Sequence, residues 1–335
     1  MTADELRAAR MRAQRLDGRA RDVAQLVREL GGVQAQEPNA AALSIRARTE
    51  GLTAADVERA LVDERSIVRT WAMRGTIHLV AAEDAGWMHS LLAPLAMPGE
   101  QRALDVLEVP VEHRARAVET IVAALGAHGP LTRAELNEHL GRAGIDTSGQ
   151  RAAHLPRLAA LEGHVCFGPR RAGKDTYALT ADWLGPRAAP LPHDRALREL
   201  AQRYLGAYGP AEPRDFATWS GLPMRDAKAA WEGLEPPPVK RAPEPPDPPL
   251  VRLLPGFDTY LLGYRDRTLA VPAEHARAVW PGGGIIRPTV VANGRAVATW
   301  RLERRGKRVD VTVDPFGEEV DAAAEITDVQ RFLAR

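Results

Sequence analysis

The chain has 335 residues, a formal net charge of +1 and a single cysteine. Its length exceeds one ordinary domain and allows two to four compact units. Near-neutral charge excludes a polycation, so any nucleic-acid contact has to come from local patches, and the lone Cys166 excludes intramolecular disulfides and cysteine-based zinc clusters.

No apolar run approaches the ~18 residues that a membrane span requires, and the charged stretch from Met1 to Arg21 does not read as a signal peptide. A soluble, cytoplasmic and nucleoid-associated protein is expected. Lysine occurs only at Lys174, Lys228, Lys240 and Lys307, so almost all the positive charge is arginine. The guanidinium fork suits phosphate, but a GC-rich genome inflates arginine together with alanine and glycine, and the bias alone does not diagnose DNA binding. His139 and His154 read as parts of different helices, and none of the histidines shows paired metal-ligand spacing, so neither metal nor cofactor is expected.

In chain order, the first informative segment is Gly31-Gly32-Val33-Gln34-Ala35-Gln36-Glu37-Pro38, between two helical stretches. If it is extended, Gln34 and Gln36 project from one face roughly 7 Å apart while Val33 and Ala35 point the other way. A carboxamide does not titrate near neutral pH, yet each offers one acceptor and two donor hydrogens. The pair is able to hold a water and turn a dipole toward a developing cation; taken alone, it is equally a pair of solvated strand glutamines.

A repeat of roughly 80 residues follows, with copies beginning at Gly51-Leu52-Thr53, Gly129-Pro130-Leu131-Thr132 and Gly209-Pro210. In the first two, threonine precedes an acidic residue by three positions, the signature of a capped helix start. Amphipathic helices precede the second and third copies, with Val118, Ile121, Val122 and Leu125 in one and Leu197, Leu200, Tyr204 and Leu205 in the other. Two hairpins are expected: Ile67 to Trp71 with Thr76 to Val80 around Arg74-Gly75, and His164 to Phe167 with Thr176 to Leu179. Helix, turn, helix and hairpin describe a winged helix.

The third copy leads into a proline-rich stretch, Glu235 to Pro249, that reads as an extended connection or as a ligand for proline-reading domains. Beyond it Val251 to Leu262, Ile285 to Ala292, Ala296 to Leu302 and Val309 to Val313 read as strands, with Asn293-Gly294 the strongest hairpin signal. They form a small sheet or barrel, closed by a helix near Val329 to Leu333. The expected fold is therefore α+β, three tandem winged-helix modules with a C-terminal small β-barrel. The segments are 1–108 with the glutamine pair, 109–190, 191–255 with the proline-rich linker, and 256–335.

Gln34-Ala35-Gln36, the wing Thr70-Trp71-Ala72-Met73-Arg74-Gly75-Thr76-Ile77-His78-Leu79, and Leu253-Leu254-Pro255-Gly256-Phe257-Asp258-Thr259-Tyr260 running on to Arg267 together resemble the AlkZ-type DNA glycosylases. The resemblance spans nearly the whole chain and implies removal of bulky or crosslinking alkyl adducts of guanine. The family's two catalytic glutamines map onto Gln34 and Gln36, with the small Ala35 between them. A related branch carries aspartate at the second position, so Gln36 places this sequence on the crosslink-unhooking side by resemblance. The family includes both general repair enzymes and self-resistance enzymes of antibiotic producers.

An N7-alkylated guanine is already cationic and departs as a neutral molecule, which removes the need for a general acid worth ~10²–10⁴-fold. No lysine sits in an apolar pocket that would prepare it for Schiff-base chemistry, so a monofunctional hydrolase leaving an abasic site is expected. Glu37 is an alternative water-activating base. Arg69, Arg74 and His78, in or beside the first wing, are candidate contacts for DNA phosphates; pairing of the arginines with acids such as Glu64 or Glu83, and a structural role for His78, are the competing roles. Arg170, Arg171 and Lys174 form a basic second wing tip with Gly168 and Gly173, either a DNA contact or a solvated loop. A basic run from Arg301 to Arg308 is explained equally well by a hairpin turn. Asp258, Arg265 and Arg267 read as structural. The expected partner is double-stranded DNA carrying alkylated guanine, gripped by a monomer; the alternative is a non-enzymatic winged-helix regulator or damage-binding protein.

Overall fold

The computed structural model describes residues 1–17, 20–185, 190–235, 246, 249–306 and 308–334. Helices α1 (Ala3–Ala13) and α2 (Val23–Glu29) lead into the two-residue strand β1 (Val33–Gln34), then α3 (Pro38–Arg46) and α4 (Ala54–Val62). The hairpin β2 (Ile67–Trp71) and β3 (Ile77–Ala81) precedes α5 (Ala85–Val106) and α6 (Val111–His128). Next come β4 (Leu131–Thr132), α7 (Arg133–Arg142), α8 (Arg151–Leu161), β5 (Val165–Phe167), β6 (Thr176–Leu179) and α9 (Thr180–Leu184). The remainder comprises α10 (His193–Tyr208), α11 (Pro213–Ser220), α12 (Met224–Trp231), β7 (Val251–Leu254), α13 (Thr259–Leu262), α14 (Ala276–Val279), β8 (Thr289–Ala292), β9 (Arg295–Arg305), β10 (Arg308–Pro315) and α15 (Ala323–Leu333).

These elements gather into two compact units, one made of Met1–Ala60 with Leu197–Arg335 and the other of Leu61–Ala196. The proline-rich stretch lies mostly outside the described residues.

In the inserted unit, α6, β4, α7, α8 and the β5–β6 hairpin follow one another, and β4 pairs with β6. Leu125, Leu136, Leu140, Leu155, Leu158 and Phe167 are buried together at their centre. The start of α7 carries a full capping box, with Thr132 and Glu135 each satisfying the other's backbone N–H. Glu212 and Asp215 make the same reciprocal arrangement at α11, a start the threonine pattern does not mark. Both expected hairpins form, with Val68 opposite Val80 in one and Cys166 opposite Ala178 in the other.

The C-terminal strands differ from expectation in two ways. Strand β7 stops at Leu254 rather than running to Leu262: Pro255-Gly256 turns the chain, and Asp258 caps α13 by accepting from the Tyr260 N–H. Among the described residues the strands form an open antiparallel sheet in the order β10-β9-β8-β7, not a closed barrel. Four strands are too few to wrap round on themselves, and α15 packs against both edge strands. Asn293 and Gly294, at φ 45° and 77°, make the tight turn between β8 and β9 that the sequence signals.

What joins the two pieces of the first unit is a pair of fully buried arginines at the end of α3. Arg48 donates to both carboxylate oxygens of Asp258 at 2.8 Å and to the Gln14 Oε1 at 2.9 Å, and Ser44 Oγ donates to the same carboxylate at 2.6 Å. Arg46 donates to the Leu253 carbonyl, Glu325 and Asp328. Burial opposes the charge on Asp258, but the Arg48 charge and the hydrogen bonds from Arg48 and Ser44 outweigh it and hold the carboxyl below its ordinary range. Removing one partner strands the other charge in the interior, so Arg48→Ala is expected to cost about 3–5 kcal/mol in urea unfolding. Arg301→Ala, which removes an exposed pair with Asp314, is expected to cost less than about 1 kcal/mol in the same measurement.

Candidate active site

The glutamine segment starts where α2 ends. Gly31 and Gly32 have φ of 67° and 116°, and their N–H groups donate to the carbonyls of Arg28 and Val27. This left-handed exit suits glycine. Gly31 also lies so close to Trp219 that a Cβ there would stand 3.2 Å from the indole. Trp219 is buried among the rings of Tyr204, Tyr208 and Phe216, so the chain leaves α2 against a packed aromatic surface.

From that anchor the backbone runs extended through Val33 and Gln34. Val33 and Ala35 are buried, at 1% and 0% exposure, whereas Gln34 is half-buried and Gln36 exposed. The alternation is the one expected of a strand with one face inward. Glu37 is exposed, occupies the N-cap of α3 and makes no side-chain cap bond, and Pro38 supplies the first helical residue. The segment therefore offers two neutral amides and a carboxylate on the solvent side, held from behind by Val33, Ala35 and the Gly31–Trp219 contact.

The six wing residues lie in the other unit and divide by burial. Arg69, 7% exposed, pairs with Asp175 at 2.9 Å and lies over the Phe167 ring at 4.3 Å. Asp175 stands directly before the second strand of the second hairpin. Arg170 Nε approaches the same Asp175 oxygen at 3.3 Å, so arginines from both hairpins converge on one carboxylate. Arg74 is exposed and left-handed, with φ 57°, in the turn between β2 and β3. That turn is held by Arg157, which donates to the Gly75 carbonyl at 3.3 Å and is itself paired with the buried Glu100.

Arg171 and Lys174 are exposed and exchange backbone hydrogen bonds across Ala172-Gly173, a two-residue turn with both φ values positive. The Arg171 side chain pairs with Glu135. Cys166 is buried, and burial pushes its thiol up to about 12, so it is a protonated bystander.

His78 is 2% exposed, with Nδ1 3.0 Å from the Thr76 carbonyl oxygen. Burial, reinforced by the Arg74 charge, lowers its pKa to about 3. The ring is neutral at pH 7, which suits a structural side chain better than a phosphate contact. The unfolded histidine titrates near 6.5, so its contribution to stability is complete above pH 6.5 and is lost as the pH falls toward 3. Urea unfolding from pH 8 to pH 4 is expected to show that loss, and a His78→Asn chain is expected to lack this component of the slope.

The model of the family described as DNA glycosylase AlkZ-like matches residues 27–335. The chain is 31% identical over 340 residues to an interstrand DNA cross-link repair glycosylase of Streptomyces sahachiroi, covering 92% of this chain and 89% of that protein. Its structure is similar to that of the S. sahachiroi DNA glycosylase AlkZ, with a TM-score of 0.78 and 28% identity over 100% of this chain and 98% of the other. Matched over nearly its whole length in both sequence and structure, the chain belongs to the AlkZ-like DNA glycosylases.

Proposed function

We propose that this glycosylase hydrolyses the N-glycosidic bond of cationic N7-alkylguanine adducts, interstrand crosslinks among them, with Gln34 and Gln36 as the catalytic residues. The observation that carries this reading is the burial alternation from Val33 to Gln36, which turns both amides outward from a rigid backing. The cross-link repair named for the S. sahachiroi relative supports the substrate class.

The bond between the base nitrogen and the sugar breaks with its electron pair going to the guanine, which cancels the positive charge on the base. The anomeric carbon gains cationic character, and a water oxygen bonds to it while a water proton passes to solvent. Carboxamide oxygens direct their dipoles at the cationic sugar and accept from the attacking water, so they contribute orientation and electrostatics with no change in their own protonation.

The helix–helix–hairpin units, read as winged helices, grip the duplex as a monomer. Arg74, Arg170, Arg171 and Lys174 make the backbone contacts, while Arg69 and His78 shape the wing from within. Repair and self-resistance use the same chemistry, and this reading serves either.

Base release from N7-methylated and from crosslinked DNA tests the assignment. Gln34→Ala and Gln36→Ala are each expected to lower the single-turnover rate by on the order of 10²–10³ with little change in duplex affinity. Rates equal to wild type in both variants would discard the glutamines as catalysts. A pH–rate profile that stays flat through the carboxylate range in wild type is the outcome expected if Glu37 is not the base. Arg171→Ala is expected to weaken DNA binding and to reduce the slope of log K against log salt by roughly one; an unaltered slope would remove that tip from the contact surface.

A further inference from the structure

We propose that Arg267 and Trp280 form a binding site for a phosphate group of the DNA backbone, with the guanidinium as donor and the indole as the platform that holds it. Neither residue takes part in the reaction proposed above. The sequence reads Arg267 as structural, together with Asp258 and Arg265. Asp258 is indeed clamped by Arg48, but among the described residues the Arg267 guanidinium has no carboxylate or carbonyl partner, and its one side-chain contact is the Trp280 ring, 5.5 Å from the centroid.

Arg267 is half-buried. Burial lowers its pKa from the ordinary guanidinium value, and no neighbouring charge works against that shift. A guanidinium keeps its proton in any protein setting, so drawing it partly out of water without a counter-charge is costly. Asp266, the adjacent acid, is committed to its own turn: its Oδ1 accepts from the Thr268 N–H at 2.8 Å and from the Thr268 hydroxyl at 2.7 Å. The arginine whose charge acts on Asp266 is Arg10.

The site is also fixed in place. The Arg267 carbonyl accepts from the Ala270 and Val271 N–H groups at 3.1 and 2.9 Å. Ala270 and Val271 belong to the buried cluster against which Trp280 packs, so the arginine backbone and the indole rest on one apolar core. Beside the guanidinium, the Trp280 Nε1–H is buried and meets no acceptor among the described residues. Buried donors in native structures are nearly always satisfied, and here two kinds of donor stand together where the protein supplies no acceptor. An aromatic face under a guanidinium leaves its N–H fork available to an oxyanion. For a DNA glycosylase the abundant oxyanion is the phosphodiester, which positions the protein without carrying sequence information.

The inference needs a chain that binds duplex DNA and does not require the glutamines to be catalytic. The test uses the full chain and an undamaged duplex. Arg267→Gln is expected to weaken binding roughly tenfold and to lower the slope of log K against log salt by roughly one. Its Tm is expected to stay within about 3 °C of wild type, because only the ring contact is lost inside the protein. Arg267→Lys, which keeps the charge, is expected to keep the salt slope. Arg225→Gln removes the same charge from an exposed pair with Asp226 and is expected to alter neither affinity nor slope. Inorganic phosphate, titrated at constant ionic strength in place of DNA, is expected to give no saturable rise in Tm.

Unaltered affinity and slope in Arg267→Gln overturn the proposal, and so does an equal change in Arg225→Gln, which would mark bulk charge as the cause. A fall in Tm large enough to explain weaker binding returns Arg267 to a structural role. Saturable phosphate binding that Arg267→Gln abolishes, with duplex affinity unchanged, would make the site one for a free phosphate and overturn the DNA contact. Base release at the wild-type rate by Gln34→Ala and Gln36→Ala would discard the catalytic glutamines and leave the Arg267 result standing.

Discussion

The contact between Arg48 and Asp258 governs the first unit. It joins residues 210 positions apart, both with side chains at 0% exposure, through two oxygens and two guanidinium nitrogens at 2.8 Å. An arginine cannot shed its charge, so one placed in the interior depends on how many of its donors are satisfied. Ser44, Gln14 and Thr259 take further bonds from its two terminal nitrogens, and Nε is left buried without one among the described residues. Helix α3 is thereby fixed to the turn after β7, and because α3 begins directly behind Gln36, the same clamp sets where the glutamine segment can lie.

Patterns that depend on near neighbours were legible in the sequence. The alternation of Val33, Gln34, Ala35 and Gln36, the Thr132 capping box, the buried stripe of α6 and the Asn293-Gly294 turn all follow from rules acting within a few residues. What escaped were properties set by distant partners. Arg46 and Arg48 were indistinguishable from the arginine that fills the whole chain, and only the structure separates these two from the exposed majority. The sequence carries the strand on to Leu262 because Thr259-Tyr260-Leu261-Leu262 suits a strand, but Asp258 caps this segment as a helix by accepting from the Tyr260 N–H. The open sheet was beyond reach for a similar reason: whether strand ends meet depends on what packs between them. At the glutamine site, the adjacent glycines are visible in the sequence, but not the Trp219 ring that lies close beside Gly31.

The inserted unit shows how arginines of two hairpins can share one carboxylate in different surroundings. Arg69 and Arg170 come from different hairpins and share Asp175, yet the first is interior and the second exposed. Stacking of Trp71 on Phe167 at 4.7 Å and of Phe167 on Tyr177 at 5.3 Å ties the same hairpins through apolar contact. The wing is thus stiffened from inside by an ion pair and ring contacts, and its exposed cations are presented on tight turns whose backbone has little freedom to adapt.

The division of the first unit between the two ends of the chain also orders its manufacture. A ribosome delivers Arg48 long before Asp258, Glu325 and Asp328, while every residue of the inserted unit has already emerged. Domains fold as they leave the exit tunnel, so the middle of the protein is able to settle first, whereas the frame carrying Gln34 and Gln36 closes last. A polypeptide released early would contain both glutamines but lack Asp258, Glu325 and Asp328, and Arg46 and Arg48 would be left without the carboxylates that hold them.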